Sequence, residues 1–330
     1  MMSIFTNKTV RDIREPIVSE LKEFQRRFRE DMRSPVGLLD KITRYIYRRK
    51  GKQMRPMFVL LSAKMVGNSI NDSTYTAASL IELLHTASLV HDDVVDEAQT
   101  RRGFFSINAI WKNKISVLVG DYLLSRGLLL ALEKREHQLL EITSRAVREM
   151  SEGELLQIEK ARRLDIDEDI YFQVIQQKTA SLIAAACSAG AASIFDDPQL
   201  IEKMRLFGEK IGVAFQIRDD LFDYGDEDVG KPLGIDIKEK KMTLPLIHAL
   251  QTTDAATRKH IIRTIKRHHT KPERVREVIE FVRNSGGLSY ARAAMLRYRD
   301  EAFQILYEFP QNDARDALEN LVNYVVERKK

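Results

Sequence analysis

Apolar side chains recur along this chain at intervals of three and four residues almost from its start. Val10, Ile13, Ile17, Leu21, Phe24 and Phe28 form the first such stripe, and that period predicts an amphipathic helix. Ser34-Pro35 starts a second helix, which ends in the basic cluster Arg48-Arg49-Lys50-Gly51-Lys52-Gln53-Met54-Arg55. Pro56 begins a third, stopping near Gly67, and Asn71 or Asp72 caps a long helix leading to Asp96. Further helical patterns cover approximately 115–135, 138–162, 168–190 and 198–222, and shorter helices fill 242–327. There is no convincing alternating β pattern, and the one conspicuous internal break runs from Gly225 to Gly234. The chain therefore reads as all-α, an antiparallel helical assembly around one core, with residues 1–330 as a single domain. The run from Ala180 to Ala192 is rich in small residues, which predicts a central helix approached closely by its neighbours.

The long helix ends in an anomaly. Asp92 and Asp96 lie one above the other on a helical face, with Asp93 about 100° around the axis. Like charges at this spacing repel, and a helix C-terminus disfavours anions. Ile81, Leu83, Leu84, Leu89, Val90, Val94 and Val95 surround the acids, which predicts a buried helix whose carboxylates need metal or basic partners. Asp219, Asp220 and Asp223 repeat the one-step and four-step spacing, 127 residues later, again at the end of an apolar helix. Two such clusters are suited to clamping several divalent ions between two helices. Oxygen donors left open to substrate favour Mg²⁺.

Composition changes the picture little. The chain has 330 residues, 53 basic and 48 acidic, with the two signs interleaved, so the surface is mixed and lacks the single basic stripe of a nucleic-acid binder. One cysteine, Cys187, excludes an internal disulfide and reads as a small core residue. The first residues lack the apolar core of a signal peptide and no stretch of about 18 strongly apolar residues is evident, which predicts a cytoplasmic protein without a transmembrane segment.

Basic residues complete the constellation. Lys52, Arg55, Arg101, Arg102, Lys178, Lys231 and Lys241 fall near helix ends or loops beside an acidic cluster. Carboxylates, Mg²⁺, Arg and Lys together make the chemistry of diphosphate binding. No Gly-x-x-x-x-Gly-Lys-Ser/Thr loop, dinucleotide fingerprint or His-Glu-x-x-His pair competes with it. Of the histidines, His91 reads as a core or capping residue, and His85, two turns before Asp92 on nearly the same face, is the better ligand candidate.

The paired clusters, with Arg101-Arg102-Gly103 after the first and Gly230-Lys231-Pro232 after the second, resemble the trans-isoprenyl diphosphate synthases, the polyprenyl synthetase family. The likeness runs from Lys50 to the helix before Pro245 and is looser outside. It implies an all-α subunit with a central cavity that pairs as a homodimer, and transient membrane contact at product release. It further implies that Lys52, Arg55, His85 and Arg102 hold isopentenyl diphosphate, while Arg101, Lys178, Thr179, Gln216, Lys231 and Lys241 hold the allylic diphosphate. Asp92, Asp96 and Asp219 carry most of the coordination of two or three Mg²⁺ ions, with Asp93, Asp220 and Asp223 as further ligands or residues just behind them. In the implied reaction the allylic C–O bond ionises, the double bond of isopentenyl diphosphate attacks the carbocation, and proton loss leaves a longer allylic diphosphate.

Three positions depart from the family pattern: Lys50 replaces a Gly, Gln53 an Arg, and Lys240 the Gly that commonly precedes the lysine aligned with Lys241. Short-chain members place bulky residues four or five positions before the first Asp. Here those positions are Ser88 and Ala87, on or beside a stripe with Leu84, Ile81 and Ala77. This predicts a long-chain product, of the kind used as a quinone side chain. The competing expectation is that Ala87 and Ser88 only permit close packing, with Leu123, Leu124 or Leu128 limiting a short-chain farnesyl or geranylgeranyl product. A terpene synthase would not need Lys52, Arg55, His85 and Arg102, and a non-catalytic regulatory subunit would not need two intact acid clusters.

Overall fold

The computed structural model describes residues 10–49, 51–101, 103–164, 167–225 and 233–327, with only the backbone of Val10, Arg101 and Arg163. Helices follow one another: α1 (Val10–Arg14), a 3₁₀ turn (Glu15–Ile17), α2 (Val18–Asp31), α3 (Gly37–Arg48), α4 (Met54–Gly67) and α5 (Asp72–Val95). A two-residue antiparallel ladder, β1 (Thr100–Arg101) with β2 (Phe104–Phe105), turns the chain into α6 (Ile107–Glu133), α7 (His137–Arg163) and α8 (Glu168–Ile175). A π-helical turn (Gln176–Ala180) leads into α9 (Ser181–Ala192) and α10 (Pro198–Phe222). Six more helices follow, α11 (Ile235–Lys238), α12 (Leu244–Thr252), α13 (Ala255–His268), α14 (Pro272–Asn284), α15 (Gly287–Leu306) and α16 (Asp313–Glu327). The all-α expectation holds.

Local chemistry explains most boundaries. Asn71 caps α5 by accepting from the Thr74 amide at 2.9 Å, and the Thr74 hydroxyl reciprocates at the Asn71 amide, a capping box. Two expected boundaries shift. Ser34 does not start a helix; its hydroxyl accepts from the Val36 amide at 3.2 Å in a turn, and α3 begins at Gly37. The helix expected from 115 begins at Ile107, because Ser106 caps it through the Ala109 amide at 2.9 Å. Its regular period is masked by Lys112, which interrupts the helical backbone at φ 71° and ψ 165°.

The chain falls into two compact units, each assembled from separated segments. Unit 1 comprises Met1–Val147, Ala185–Arg205 and Phe309–Leu318. Its core contains the buried run Met57–Leu61 of α4, Leu80, Ile81 and Leu83 of α5, and Leu123 of α6. Gly190 sits so close to α4 that a Cβ there would meet the Val59 carbonyl at 2.4 Å. Unit 2 comprises Arg148–Ala184, Leu206–Glu308 and Glu319–Lys330. Here Gly212 and Gly208 let the backbone of α10 approach Ala180 and Ala184, with a Cβ at Gly212 lying 2.4 Å from Ala180 Cα. The small-residue run thus does what its composition predicts.

Helix α6 corrects one expectation. It is long and apolar enough to cross a membrane by length and composition, and only 39% of its most apolar window is buried. Val117, Leu118, Leu129 and Leu132 are among its exposed residues. The interspersed Lys112, Lys114, Asp121 and Arg126 made this run look less apolar than its helix is.

Candidate active site

Unit 2 gathers five of the expected substrate and acid residues around one cavity: Lys178, Thr179, Gln216, Asp220 and Lys241. They are wired together. Thr179 Oγ1 donates to Gln216 Oε1 at 2.8 Å, Gln216 Nε2 donates to Asp220 Oδ1 at 2.8 Å, and Tyr171 Oη donates to Asp220 Oδ2 at 2.7 Å. Both carboxylate oxygens of Asp220 are therefore oriented. Burial, with the nearby Asp236 charge, pushes its carboxyl up to about 8, and the phenol and amide only partly offset this. Burial likewise raises the Tyr171 hydroxyl well above its ordinary range, helped by the Asp220 charge.

The two lysines are held by acids. Lys178 forms a salt bridge with Glu154 and lies 3.4 Å from Gln157 Oε1. Lys241 pairs with Glu239 and lies 3.9 Å from Asp236. Burial opposes the Lys241 charge, yet Glu239 and Asp236 hold its pKa above the usual range.

A break in the helical period places Lys178 and Thr179. The pattern from 168 to 190 reads as one helix, whereas Gln176–Ala180 forms a π-helical turn. Such turns reorient side chains, and they recur at functional sites. Gly153 of α7 makes room for it, since a Cβ there would lie 2.7 Å from Gln177 Cβ and 2.8 Å from the Lys178 amide nitrogen.

Asp223 sits at the foot of the same acidic helix with a different task. Its Oδ1 accepts from the Ile235 amide at 2.8 Å and its Oδ2 from the Asp236 amide at 3.1 Å. It thereby fixes the start of α11 and the position of Asp236. Burial raises its pKa and these amides pull it back. Asp219 is half-buried.

In unit 1 the acids leave the core rather than extend it. Asp93 is 3% exposed, whereas Asp92 and Asp96 are exposed and Val95 is 70% exposed. The expected apolar collar is thus incomplete at the last turn of α5. His91 packs where Gly120 has no side chain, its Nε2 3.3 Å from the Val117 carbonyl and 3.3 Å from Asp121 Oδ1.

Arg55 Nη1 lies 2.9 Å from His85 Nε2, so two expected isopentenyl diphosphate residues meet. A guanidinium only donates, which makes Nε2 the acceptor. His85 and Asp93 also line a cavity with Arg49 and Tyr45, and the Arg49 guanidinium stacks 3.7 Å over the Tyr45 ring and 4.3 Å over Phe104. Lys52 is exposed, and its carbonyl accepts from Arg14 Nη2 at 2.6 Å. Leu84 and Ala87 are buried at 5% and 3% exposure, and the half-buried Ser88 donates to the His85 carbonyl at 2.9 Å.

Arg102, Lys231 and Lys50 lie outside the described residues, as do Gly230 and Pro232, and for Arg101 only the backbone is described. Two departures from the family pattern gain a physical reading. Gln53 and Lys240 both adopt left-handed backbone, at φ 53° and 58°. Gln53 is buried at the N-cap of α4, where its Oε1 accepts from Gln25 Nε2 at 2.8 Å while its own buried Nε2 has no hydrogen-bond partner among the described residues.

The donors suit magnesium. Among the described residues no three acidic, histidine or cysteine side chains form a closed metal-holding group, and Mg²⁺ ordinarily uses one or two carboxylates and completes its octahedron with water and phosphate. Burial first, and then the neighbouring Asp236 charge, disfavour ionised Asp220, and a divalent cation placed there favours the carboxylate instead. Gln157, Tyr171, Asp236 and Thr243 also line the cavity and carry no motif of their own. The only sequence signal for Asp236 is its place after the Gly-rich break.

Comparison with known proteins agrees with this chemistry. The polyprenyl synthetase family profile matches residues 36–282. An all-trans-nonaprenyl-diphosphate synthase (geranyl-diphosphate specific) of Rhodobacter capsulatus is 38% identical over 96% of this chain and 97% of its own length. The crystal structure of a decaprenyl diphosphate synthase from Rhodobacter capsulatus superposes with a TM-score of 0.92 at 34% identity, covering 98% of this chain and 100% of the other. A geranylgeranyl pyrophosphate synthase from Bacteroides thetaiotaomicron superposes at 0.82 with 39% identity, over 96% and 98% of the two chains. Paired aspartate helices, a π turn presenting Lys178 and Thr179, and likeness over most of the sequence lead to one assignment: this chain is a prenyltransferase of the polyprenyl synthetase family.

Proposed function

We propose that this prenyltransferase condenses isopentenyl diphosphate onto an allylic diphosphate to make a long-chain polyprenyl diphosphate, the precursor of a quinone side chain. One observation carries the reading: Lys178, Thr179, Gln216, Asp220 and Lys241 share a single cavity in unit 2. An allylic diphosphate entering it competes with Glu154 and Glu239 for the two ammonium groups. Charge-assisted contacts from Lys178 and Lys241 then stabilise negative charge developing on the departing diphosphate. The Thr179–Gln216–Asp220–Tyr171 chain fixes the carboxylate that faces it.

Asp219 and Asp220, and Asp92, Asp93 and Asp96 on α5, are the residues that would hold Mg²⁺, with Asp223 anchoring α11. Magnesium, when bound, supplies positive charge to the leaving diphosphate. Arg55 and His85, joined at 2.9 Å, bind isopentenyl diphosphate, and the His85 orientation is tied to Ser88 through its carbonyl.

Two observations favour the long product over a farnesyl- or geranylgeranyl-length one. Small Ala87 and Ser88 leave the diphosphate end of α5 without a bulky stop, and relatives spanning nearly the whole chain include nonaprenyl and decaprenyl synthases. The exposed Leu118, Leu129 and Leu132 of α6 support pairing of two copies through that helix. The setting we assign is cytoplasmic.

The test is incubation of the purified chain with Mg²⁺, isopentenyl diphosphate and farnesyl diphosphate. Elongated polyprenyl diphosphate whose formation EDTA abolishes is the expected result. A cyclic hydrocarbon would identify a terpene synthase, and no condensation without an added subunit would identify a regulatory partner.

A further inference from the structure

At the join of α2 and α3, four arginines surround a cavity of about 220 Å³: Arg29, Arg33, Arg44 and Arg48. Its floor is formed by the buried Met32 and Thr43, and no acidic-cluster residue lines it. Asp40 pairs with Arg44 at 2.7 Å. Among the described residues, no carboxylate comes within salt-bridge reach of Arg29, Arg33 or Arg48. The sequence builds this crowding deliberately close: Arg44 and Arg48 are one helical turn apart on α3, a spacing at which like charges repel. Four guanidiniums against one carboxylate concentrate positive potential in a concave site.

We propose that this pocket binds a phosphate group, as a monoester or a diphosphate. The planar guanidinium matches phosphate oxygens two at a time, and an anion here relieves repulsion that the single Asp40 carboxylate, paired with Arg44, leaves unbalanced. Two sources present that chemistry, a free phosphate compound and a phospholipid headgroup. Val36 and Leu38, exposed by 57% and 48% at the start of α3, offer apolar surface next to it for the second.

The test compares the wild-type chain with Arg29→Gln/Arg33→Gln/Arg48→Gln, and with Arg48→Gln alone should the triple variant fold poorly. Inorganic pyrophosphate is titrated calorimetrically in EDTA, and cosedimentation is measured with phosphatidylglycerol–phosphatidylcholine vesicles against pure phosphatidylcholine vesicles. Condensation activity on soluble substrates should not change. Loss of one pyrophosphate site, or its weakening by at least about tenfold, with no vesicle binding assigns a free phosphate ligand. Vesicle binding that needs phosphatidylglycerol and disappears in the variant assigns the lipid headgroup. Equal pyrophosphate binding and equal vesicle behaviour in both proteins would overturn the proposal.

Discussion

Tyr171 Oη donates a 2.7 Å hydrogen bond to Asp220 Oδ2, and both side chains are buried. Tyr171 lies on α8, 49 residues before its partner, so the bond ties two helices together at the centre of the acidic cluster. Tyr171→Phe removes the donor and leaves the packing. Burial favours the neutral form of Asp220, and a hydrogen bond to a neutral group contributes about 0.5–1.5 kcal/mol, so the KM for the allylic diphosphate or for Mg²⁺ is expected to rise by roughly two- to tenfold. Steady-state kinetics at varied Mg²⁺ measures it.

Gly153 is expected to be intolerant for a reason unconnected with its own flexibility. A Cβ would press on the Lys178 amide nitrogen at 2.8 Å, and overpacking of this kind costs about 1–3 kcal/mol. Because the displaced segment is the π turn, Gly153→Ala should raise the allylic diphosphate KM more than it lowers the thermal midpoint. Equal loss of fold and activity would show that the turn is not the element displaced.

At Arg55 the expectation concerns geometry more than charge. Arg55→Lys keeps a cation but loses the planar fork that reaches His85 Nε2. The KM for isopentenyl diphosphate should rise by about tenfold, with little change in the KM of the allylic substrate.

The acid clusters, their helices and their order were legible in the sequence because i,i+4 spacing translates directly into a shared helical face. The π turn was not. Residues 168–190 keep an apolar pattern through it, and the room it occupies is left by Gly153, which belongs to a different helix. Tyr171 and Asp236 were equally hidden, since each acquires its role from a partner distant in sequence. The start of α6 was obscured by Lys112, whose backbone breaks the period without any Gly or Pro to signal it.

Lys240 makes a strain prediction. Its φ of 58° is a conformation costing an L-residue about 1–2 kcal/mol, partly recovered by Gly after its entropic penalty of roughly 0.5–1 kcal/mol. Lys240→Gly should therefore raise the thermal midpoint slightly, whereas Lys240→Val should lower it. Differential scanning calorimetry separates the two.

Cys187 is fully buried, and burial pushes its thiol up to about 12. In the unfolded chain it ionises near 8.5. The folded state therefore holds the proton longer, and this site's contribution to stability is complete below about pH 8.5 and declines as pH rises toward 12. Cys187→Ala should flatten the alkaline fall in stability, and iodoacetamide should modify the wild-type thiol at pH 8 only when denaturant unfolds the chain.

The most direct measurement is product length from wild type and Ala87→Phe, each given Mg²⁺, isopentenyl diphosphate and farnesyl diphosphate. The expected wild-type product is longer than geranylgeranyl diphosphate, and the buried Ala87, once replaced by Phe, shortens it. A wild-type product no longer than geranylgeranyl diphosphate, unchanged by the substitution, would contradict both the long-chain assignment and the role of α5 as its gauge.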